Sequence, residues 1–185
     1  MQMPRVWIAT MSLALFFAAA APSLAQSPPE PGQSLSPITF SLPGKPEDMA
    51  YLGIDAAAKD FTLADIQADL IFLEIIGVYC PQCYRQLPLF KDVHTRIERG
   101  KLKNRVKMFS VAAGGNQPEV DLLTKTQQYP FPVLQDPDYA VHKALAEPLT
   151  PFTMLLRPDG SVLFTHLGVI EDVDSFYRTI KKLVL

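Results

Sequence analysis

The sequence predicts an α/β fold in which a central mixed β-sheet is flanked by helices. Two nearly continuous apolar runs, Leu70 to Ile76 and Val106 to Ala112, have the length and composition of strands buried on both faces. A helical pattern follows each run, and two further strands joined by a tight turn precede a final helix. The predicted order is therefore β-α-β-α-β-β-α, with an N-terminal extension and a central insertion.

Breakers and apolar spacing define the elements of the first half. Gly77 ends the first strand, and from Cys83 to Gly100 the apolar positions fall on one helical stripe: Leu87, Phe90, His94 and Ile97. Gly114 and Gly115 close the second strand. Asn116 is a suitable cap for a helix that runs towards Tyr129.

The second half of the chain contains two short elements, a pair of strands and a final helix. Phe131 to Leu134 is a short extended piece, and Tyr139 to Leu145 is a short helix. The strands predicted at Phe152 to Leu156 and Ser161 to Leu167 are separated by Arg157-Pro158-Asp159-Gly160, a favourable turn sequence. An amphipathic helix behind Asp172 completes the chain.

The N-terminus has the three parts of a secretory signal peptide. Arg5 precedes the apolar run from Val6 to Ala21, and small residues at Ser23 and Ala25 predict cleavage after Ala25. An uncleaved membrane anchor is the alternative, although about 16 apolar residues are short for a bilayer span. We expect residues 1–25 to be the signal peptide, residues 26–37 a disordered Pro/Ser/Gln-rich tether, and residues 38–185 one domain.

Composition excludes several classes of protein. The chain has 17 basic and 19 acidic residues, and the basic residues do not cluster tightly, which argues against a nucleic-acid partner. Two cysteines are too few for a disulfide-stapled miniprotein or for a four-thiolate zinc site.

Both cysteines lie in the tetrapeptide Cys80-Pro81-Gln82-Cys83, between a buried strand and a helix. The N–H groups and partial positive charge at a helix N-terminus stabilise a thiolate, which is the nucleophilic form of cysteine. We therefore expect Cys80 to attack a partner disulfide, and the more shielded Cys83 to resolve the mixed disulfide.

Other uses of a closely spaced cysteine pair remain open. A zinc half-site needs further ligands, and the three histidines are scattered: His94, His142 and His166. A purely structural disulfide would close too short a loop to stabilise the chain strongly. Covalent haem attachment is excluded because Tyr84 follows Cys83 where that motif requires histidine.

Together with Pro88 and Thr150-Pro151, this tetrapeptide carries a family resemblance. From about Phe61 to Leu185 the chain resembles thioredoxin-fold proteins, in the extracytoplasmic group of TlpA-like and AhpC/TSA-like redoxins. Pro88 matches the proline of the active-site helix, and Thr150-Pro151, nine residues before Gly160, matches the cis-proline loop. The resemblance implies the thioredoxin fold and a thiol-disulfide oxidoreductase that needs no cofactor or metal.

The resemblance also implies roles for particular residues. Glu74, six residues before Cys80, matches the buried acid that assists proton transfer at the second cysteine; a strand-edge carboxylate facing water is the alternative. Thr150 and cis-Pro151 are expected to hold an extended client segment, and Pro81 and Gln82 are expected to contact it.

Three departures from the family pattern bear on the substrate. Ile75 to Tyr79 replaces an aromatic-rich approach to the site, and Gln86 replaces an acidic residue common in cytochrome maturation. The peroxidatic Pro-x-x-x-Thr-x-x-Cys motif of peroxiredoxins is absent. A thiol peroxidase and a copper-binding chaperone therefore remain as less favoured alternatives.

The resulting functional prediction is a monomeric, periplasmic or secreted thiol-disulfide oxidoreductase. Its expected partners are protein thiol and disulfide clients, with a membrane thiol-electron donor as a further candidate.

Overall fold

The computed structural model describes residues 27–185, so the predicted signal peptide lies outside the described residues. The strands in this part of the chain are Phe40–Ser41 (β1), Asp60–Phe61 (β2), Leu70–Ile76 (β3), Val106–Ala113 (β4), Val133–Asp136 (β5), Phe152–Leu156 (β6) and Val162–Leu167 (β7). The helices are Pro46–Leu52 (α1), Pro81–Arg99 (α2), Gln117–Gln127 (α3), Ala140–Ala144 (α4) and Val173–Val184 (α5).

Five strands form the central sheet in the order β5-β4-β3-β6-β7. Strand β3 lies in the middle, parallel to β4 and antiparallel to β6, while β5 extends the parallel side and β7 the antiparallel side. The predicted mixed sheet is therefore confirmed. Because β3 is central, the loop after Ile76 begins near the middle of one sheet end.

Alternate side chains of β3 pack into cores on opposite faces of the sheet, as the strand pleat requires. Ile71, Leu73 and Ile75 pack in a cluster with residues of the N-terminal extension, including Phe40 and Phe61. The other face is covered mainly by α2 and α5, in a cluster of aromatic side chains that share edge and stacked contacts: Phe72, Phe90 and Phe176. The extension thus completes one of the two cores.

Most predicted elements are present with shifted ends. Helix α2, predicted from Cys83, begins at Pro81, because Cys80 caps it. The extended piece predicted from Phe131 is strand β5, which begins two residues later. His94, predicted on the apolar stripe of α2, is only half-buried, and Val93 takes the fully buried position.

The prediction of a disordered tether at residues 26–37 is wrong for the described part of that segment. Ser34 forms an antiparallel bridge with Ser161, and the backbones of Gly32 and Gln33 exchange 2.9 Å hydrogen bonds with Val162. Strand β7 is otherwise at the sheet edge, where unpaired backbone groups favour an added extended segment. A proline-rich chain is already inclined to be extended, so it can occupy this edge without a side-chain pattern of its own.

The start of this segment lies near the loop before β6. Ser27 and Pro28 line a cavity of about 250 Å³ together with Leu149 and Leu167. None of the helices within residues 27–185 combines the length and apolar character needed to span a membrane.

Candidate active site

The two cysteines lie where the central strand passes into the longest helix. Cys80 is the N-cap of α2, and its sulfur accepts a hydrogen bond from the Cys83 N–H at 3.2 Å. The pair forms a disulfide with its Cα atoms 5.3 Å apart. Cys80 is partly exposed whereas Cys83 is 1% exposed, so an incoming thiol reaches Cys80.

A second loop faces Cys80 from the start of β6. The Thr150 carbonyl oxygen lies 3.7 Å from Cys80 Sγ, and the Thr150–Pro151 peptide bond is cis, as predicted. The two loops pack closely around Gly77, which directly follows β3. A Cβ added to Gly77 would lie 3.3 Å from Cys80 Cβ and 3.6 Å from Thr150 Oγ1. The structure therefore brings Cys80, Cys83 and the Thr150–Pro151 loop together.

Pro81 and Gln82 lie on the exposed first turn of α2, beside Cys80. Pro81 takes the first helical position, where its missing N–H leaves no intrahelical hydrogen bond unmade. The Gln82 side chain accepts a long, 3.4 Å hydrogen bond from Arg85. Both residues are therefore available to an approaching polypeptide.

Glu74 is buried in the middle of β3, with 2% of its surface exposed. It is in register with Ser110 of β4 and Thr153 of β6, so it does not lie at a sheet edge. Its side chain shares a face with Phe72 and Ile76, and Ile76 packs in the same cluster as Cys83. Glu74 thus lies beneath the active-site helix.

The environment of Glu74 favours its protonated form. Burial raises the pKa of this carboxyl from 4.5 to about 7, and hydrogen bonds from Gln86 and Ser110 oppose that rise. A carboxyl with a pKa near neutrality can both accept and release a proton under ordinary conditions.

Gln86 is a buried residue of the site that sequence reasoning did not assign to it. Its side-chain Nε2 donates to Glu74 Oε1 at 2.7 Å, and its Oε1 accepts from the Ile170 N–H at 2.8 Å. The signal in the sequence was a polar residue three positions after Cys83, on the buried face of the helix.

An open cavity of about 350 Å³ lies on one side of Cys80. Tyr79 is 77% exposed at its rim and donates to Glu119 Oε1 at 3.1 Å. Tyr139 also lines the cavity, and it passes so close to Gly114 that a Cβ added there would overlap the Tyr139 hydroxyl. No local pattern links these residues, because Glu119 and Tyr139 lie far from Tyr79 along the chain.

Two of the three histidines contact backbone carbonyl groups. His142 Nε2 contacts the Pro148 carbonyl oxygen at 2.9 Å, and His166 Nε2 contacts that of Val169 at 3.3 Å. Across residues 27–185, the structure gathers no cluster of three or more His, Cys, Asp or Glu side chains able to hold a metal ion.

Comparison of the sequence with known proteins identifies its family. Residues 38–165 match the model of the AhpC/TSA family. The chain belongs to the AhpC/TSA family. The match begins in the N-terminal extension, which agrees with the contribution of that extension to the core.

Curated relatives that are similar in sequence to this AhpC/TSA protein include the thiol-disulfide oxidoreductase ResA from two bacteria. The protein from Halalkalibacterium halodurans is 25% identical over 131 residues, covering 69% of this chain and 71% of the relative. The Bacillus subtilis protein is 25% identical over 118 residues, covering 64% of each chain.

Solved structures confirm the thioredoxin fold. The thioredoxin domain of a thiol-disulfide oxidoreductase from Bacteroides vulgatus superposes with a TM-score of 0.61 at 15% identity, covering 84% of this chain and 99% of the other. StoA from Bacillus subtilis gives a TM-score of 0.55 at 20% identity, covering 70% and 95%. The predicted enzyme class, a thioredoxin-like thiol-disulfide oxidoreductase, is confirmed.

Proposed function

We propose that this protein exchanges disulfides with extracytoplasmic protein clients through Cys80 and Cys83. The observation that carries the proposal is the asymmetry of the pair: Cys80 is accessible at a helix N-terminus, while Cys83 is buried one turn inside it. A helix N-terminus stabilises a thiolate at Cys80, and burial keeps Cys83 from competing for clients.

In the reducing direction, the Cys80 thiolate attacks one sulfur of a client disulfide. A bond forms between Cys80 and that sulfur, the client disulfide breaks, and the departing sulfur keeps the electron pair and takes a proton from solvent. The Cys83 thiol then loses its proton and attacks Cys80 Sγ, which releases the second client sulfur with its electron pair. The client gains two electrons and Cys80–Cys83 becomes a disulfide; oxidation of a client follows the same steps in reverse.

Glu74 is the proposed acceptor of the Cys83 proton. A thiol in an apolar environment loses its proton reluctantly, because burial disfavours the thiolate. Glu74 lies on the same face as Cys83, and its pKa of about 7 matches the pH at which the transfer must occur.

The client is proposed to bind as an extended segment across the loop of Thr150 and Pro151. Pro151 has no N–H, so it cannot compete for the cysteine sulfurs, while the Thr150 backbone lies beside Cys80. A segment paired with that edge would bring its cysteine onto Cys80, in contact with Pro81, Gln82 and the cavity of Tyr79.

The proposed location is the periplasm or cell exterior, reached through the signal peptide at residues 1–25. There the protein acts as a monomer on protein clients, and a membrane thiol-electron donor returns the disulfide to the reduced state. The family match and the ResA relatives support this assignment at the level of enzyme class.

Trapping of mixed disulfides tests the proposal. In Cys83→Ala the resolving thiol is missing, so clients should remain covalently joined to Cys80 and be recovered after non-reducing purification. Cys80→Ala is the matched control and should capture none. Recovery of no client by Cys83→Ala, or equal recovery by both variants, contradicts the proposal, and so does peroxide consumption without turnover of scrambled disulfides.

A further inference from the structure

The buried face of α2 carries one amide among apolar side chains. Gln86 is fully buried, and its neighbours on that face are Cys83, Leu87 and Phe90. Burial of an amide is costly unless its polar atoms are hydrogen-bonded. Gln86 meets this requirement with partners on two other elements, Glu74 of β3 and Ile170 of the loop before α5.

The contact with Ile170 fixes which end of the amide faces Glu74. A backbone N–H only donates, so the atom 2.8 Å from it must be the Gln86 oxygen. The amide nitrogen is therefore directed at Glu74 Oε1, 2.7 Å away, where it can donate and cannot accept.

Glu74 thus has two unlike neighbours, one at each carboxyl oxygen. Oε1 faces the Gln86 amide, whereas Oε2 lies 2.9 Å from the Ser110 hydroxyl, which can donate or accept as it rotates. A proton on Oε1 would point at an N–H group, so only Oε2 can carry it without losing a hydrogen bond.

We propose that Gln86 is a positioning residue for the active-site acid: it holds Oε1 of Glu74 as a permanent acceptor and directs proton exchange to Oε2, beside Ser110. This inference rests on the proton-transfer role of Glu74 proposed above. It also gives a physical reason for the glutamine at position 86, where cytochrome-maturation relatives commonly have an acidic residue. The Gln86 amide stabilises the Glu74 carboxylate of β3.

The polar neighbours of Glu74 come from several of the elements packed against it, but not from α5. Gln86 belongs to α2 and Ser110 to β4, while Thr153 of β6 lies 3.5 Å from the Gln86 nitrogen. Burial raises the pKa of the Tyr129 phenol, and the nearby Glu74 charge raises it further. From α5 the facing side chains are apolar, among them Phe176 and Ile180. No cation of the described chain contacts Glu74, so the two hydrogen bonds are what stabilises its charge.

Titration of the Glu74 carboxyl by ¹³C NMR tests the inference directly. The oxidised protein is used, because its cysteines do not titrate. In Gln86→Leu the carboxylate loses a charge-assisted hydrogen bond, so the Glu74 pKa should rise by about one unit or more. Thr153→Val is the matched control: it removes a buried hydroxyl that accepts a hydrogen bond from Gln86 and makes none with Glu74 among the described residues, so the pKa should stay at its wild-type value.

A second variant keeps the test decisive if Gln86→Leu does not fold. Gln86→Glu preserves the shape of the side chain and its acceptor for Ile170, but it places two buried carboxyls together. They should share one proton, and the pair should release it at a higher pH than wild-type Glu74 does. A titration midpoint unchanged in the folded variant overturns the inference.

The pH profile of disulfide exchange separates this inference from the proposed function. Gln86→Leu should shift the profile in wild-type protein and have no further effect in a Glu74→Gln background. An equal effect in both backgrounds overturns the positioning role. If Glu74→Gln exchanges at the wild-type rate, the proton-transfer role fails, yet the NMR titration still decides whether Gln86 positions the carboxyl.

Discussion

Replacement of Glu74 by glutamine should make the protein less sensitive to pH, and the structure gives the size of the effect. Glutamine has nearly the same volume as glutamate. Its oxygen can accept from Gln86, and its nitrogen can donate to Ser110, so both buried partners of the carboxyl keep a hydrogen bond. The substitution therefore removes the ionisation with little change in packing.

The magnitude follows from the pKa of Glu74 in the two states. Burial raises it to about 7 in the folded protein, whereas the unfolded chain keeps the ordinary value of 4.5. Between these values the folded protein holds a proton that the unfolded chain has lost, so stability falls as the pH rises. The contribution is fully present below pH 4.5 and is lost above a pH of about 7, and it amounts to about 3 kcal/mol.

Urea unfolding of oxidised protein from pH 4.5 to about pH 8 measures this contribution. Across that range, the wild-type free energy of unfolding should fall by about 3 kcal/mol more than that of Glu74→Gln. Glu147→Gln replaces an exposed carboxylate and serves as the control, with a profile parallel to wild type. Parallel profiles for wild type and Glu74→Gln would refute the reasoning.

Three further predictions concern the thiols and the loop after β4. Iodoacetamide should label Cys80 faster and at lower pH than Cys83 when each is the single cysteine, because Cys80 is partly exposed at the helix N-terminus while Cys83 is buried. The reverse order would reject that assignment. Gly114→Ala should lower the free energy of unfolding in urea by at least about 1 kcal/mol, because the φ of Gly114 is +73° and the new Cβ would overlap Tyr139. Unchanged stability would contradict the close contact between Gly114 and Tyr139. Asn116→Ala removes the N-cap of α3 and should lower the free energy of unfolding by about 1 kcal/mol, with disulfide-exchange activity retained. Loss of activity at full stability would contradict a purely structural role for Asn116.

The parts of this fold that could be predicted from the sequence are those whose causes are local. The apolar run of β3, the cap at Asn116 and the turn ending at Gly160 are each determined by a few neighbouring residues. The cysteine pair was recognisable for the same reason, because its spacing and its place before a helix are contained in one short segment.

The parts that could not be predicted depend on contacts between distant residues. Pairing of residues 32–35 with the edge of β7 uses backbone groups, which every sequence carries. Gln86 interrupts an apolar stripe, and only the fold shows that Glu74 and Ile170 meet it there. The cavity beside Cys80 likewise depends on Tyr79 and Tyr139, which are far apart in the sequence, lining the same space.

The position of Ser27 has a practical consequence for handling the protein. Ser27 lines the same cavity as Leu149, which directly precedes Thr150, so a fluorophore attached at Ser27 would lie near the loop that faces Cys80. The C-terminal end is better separated: Arg105 binds the Val184 carbonyl oxygen at 2.6 Å, at the end of the sheet opposite Cys80. Immobilisation through Leu185 leaves the reactive end facing solution, whereas coupling at Ser27 would obstruct large clients before small ones and would imitate a change in specificity.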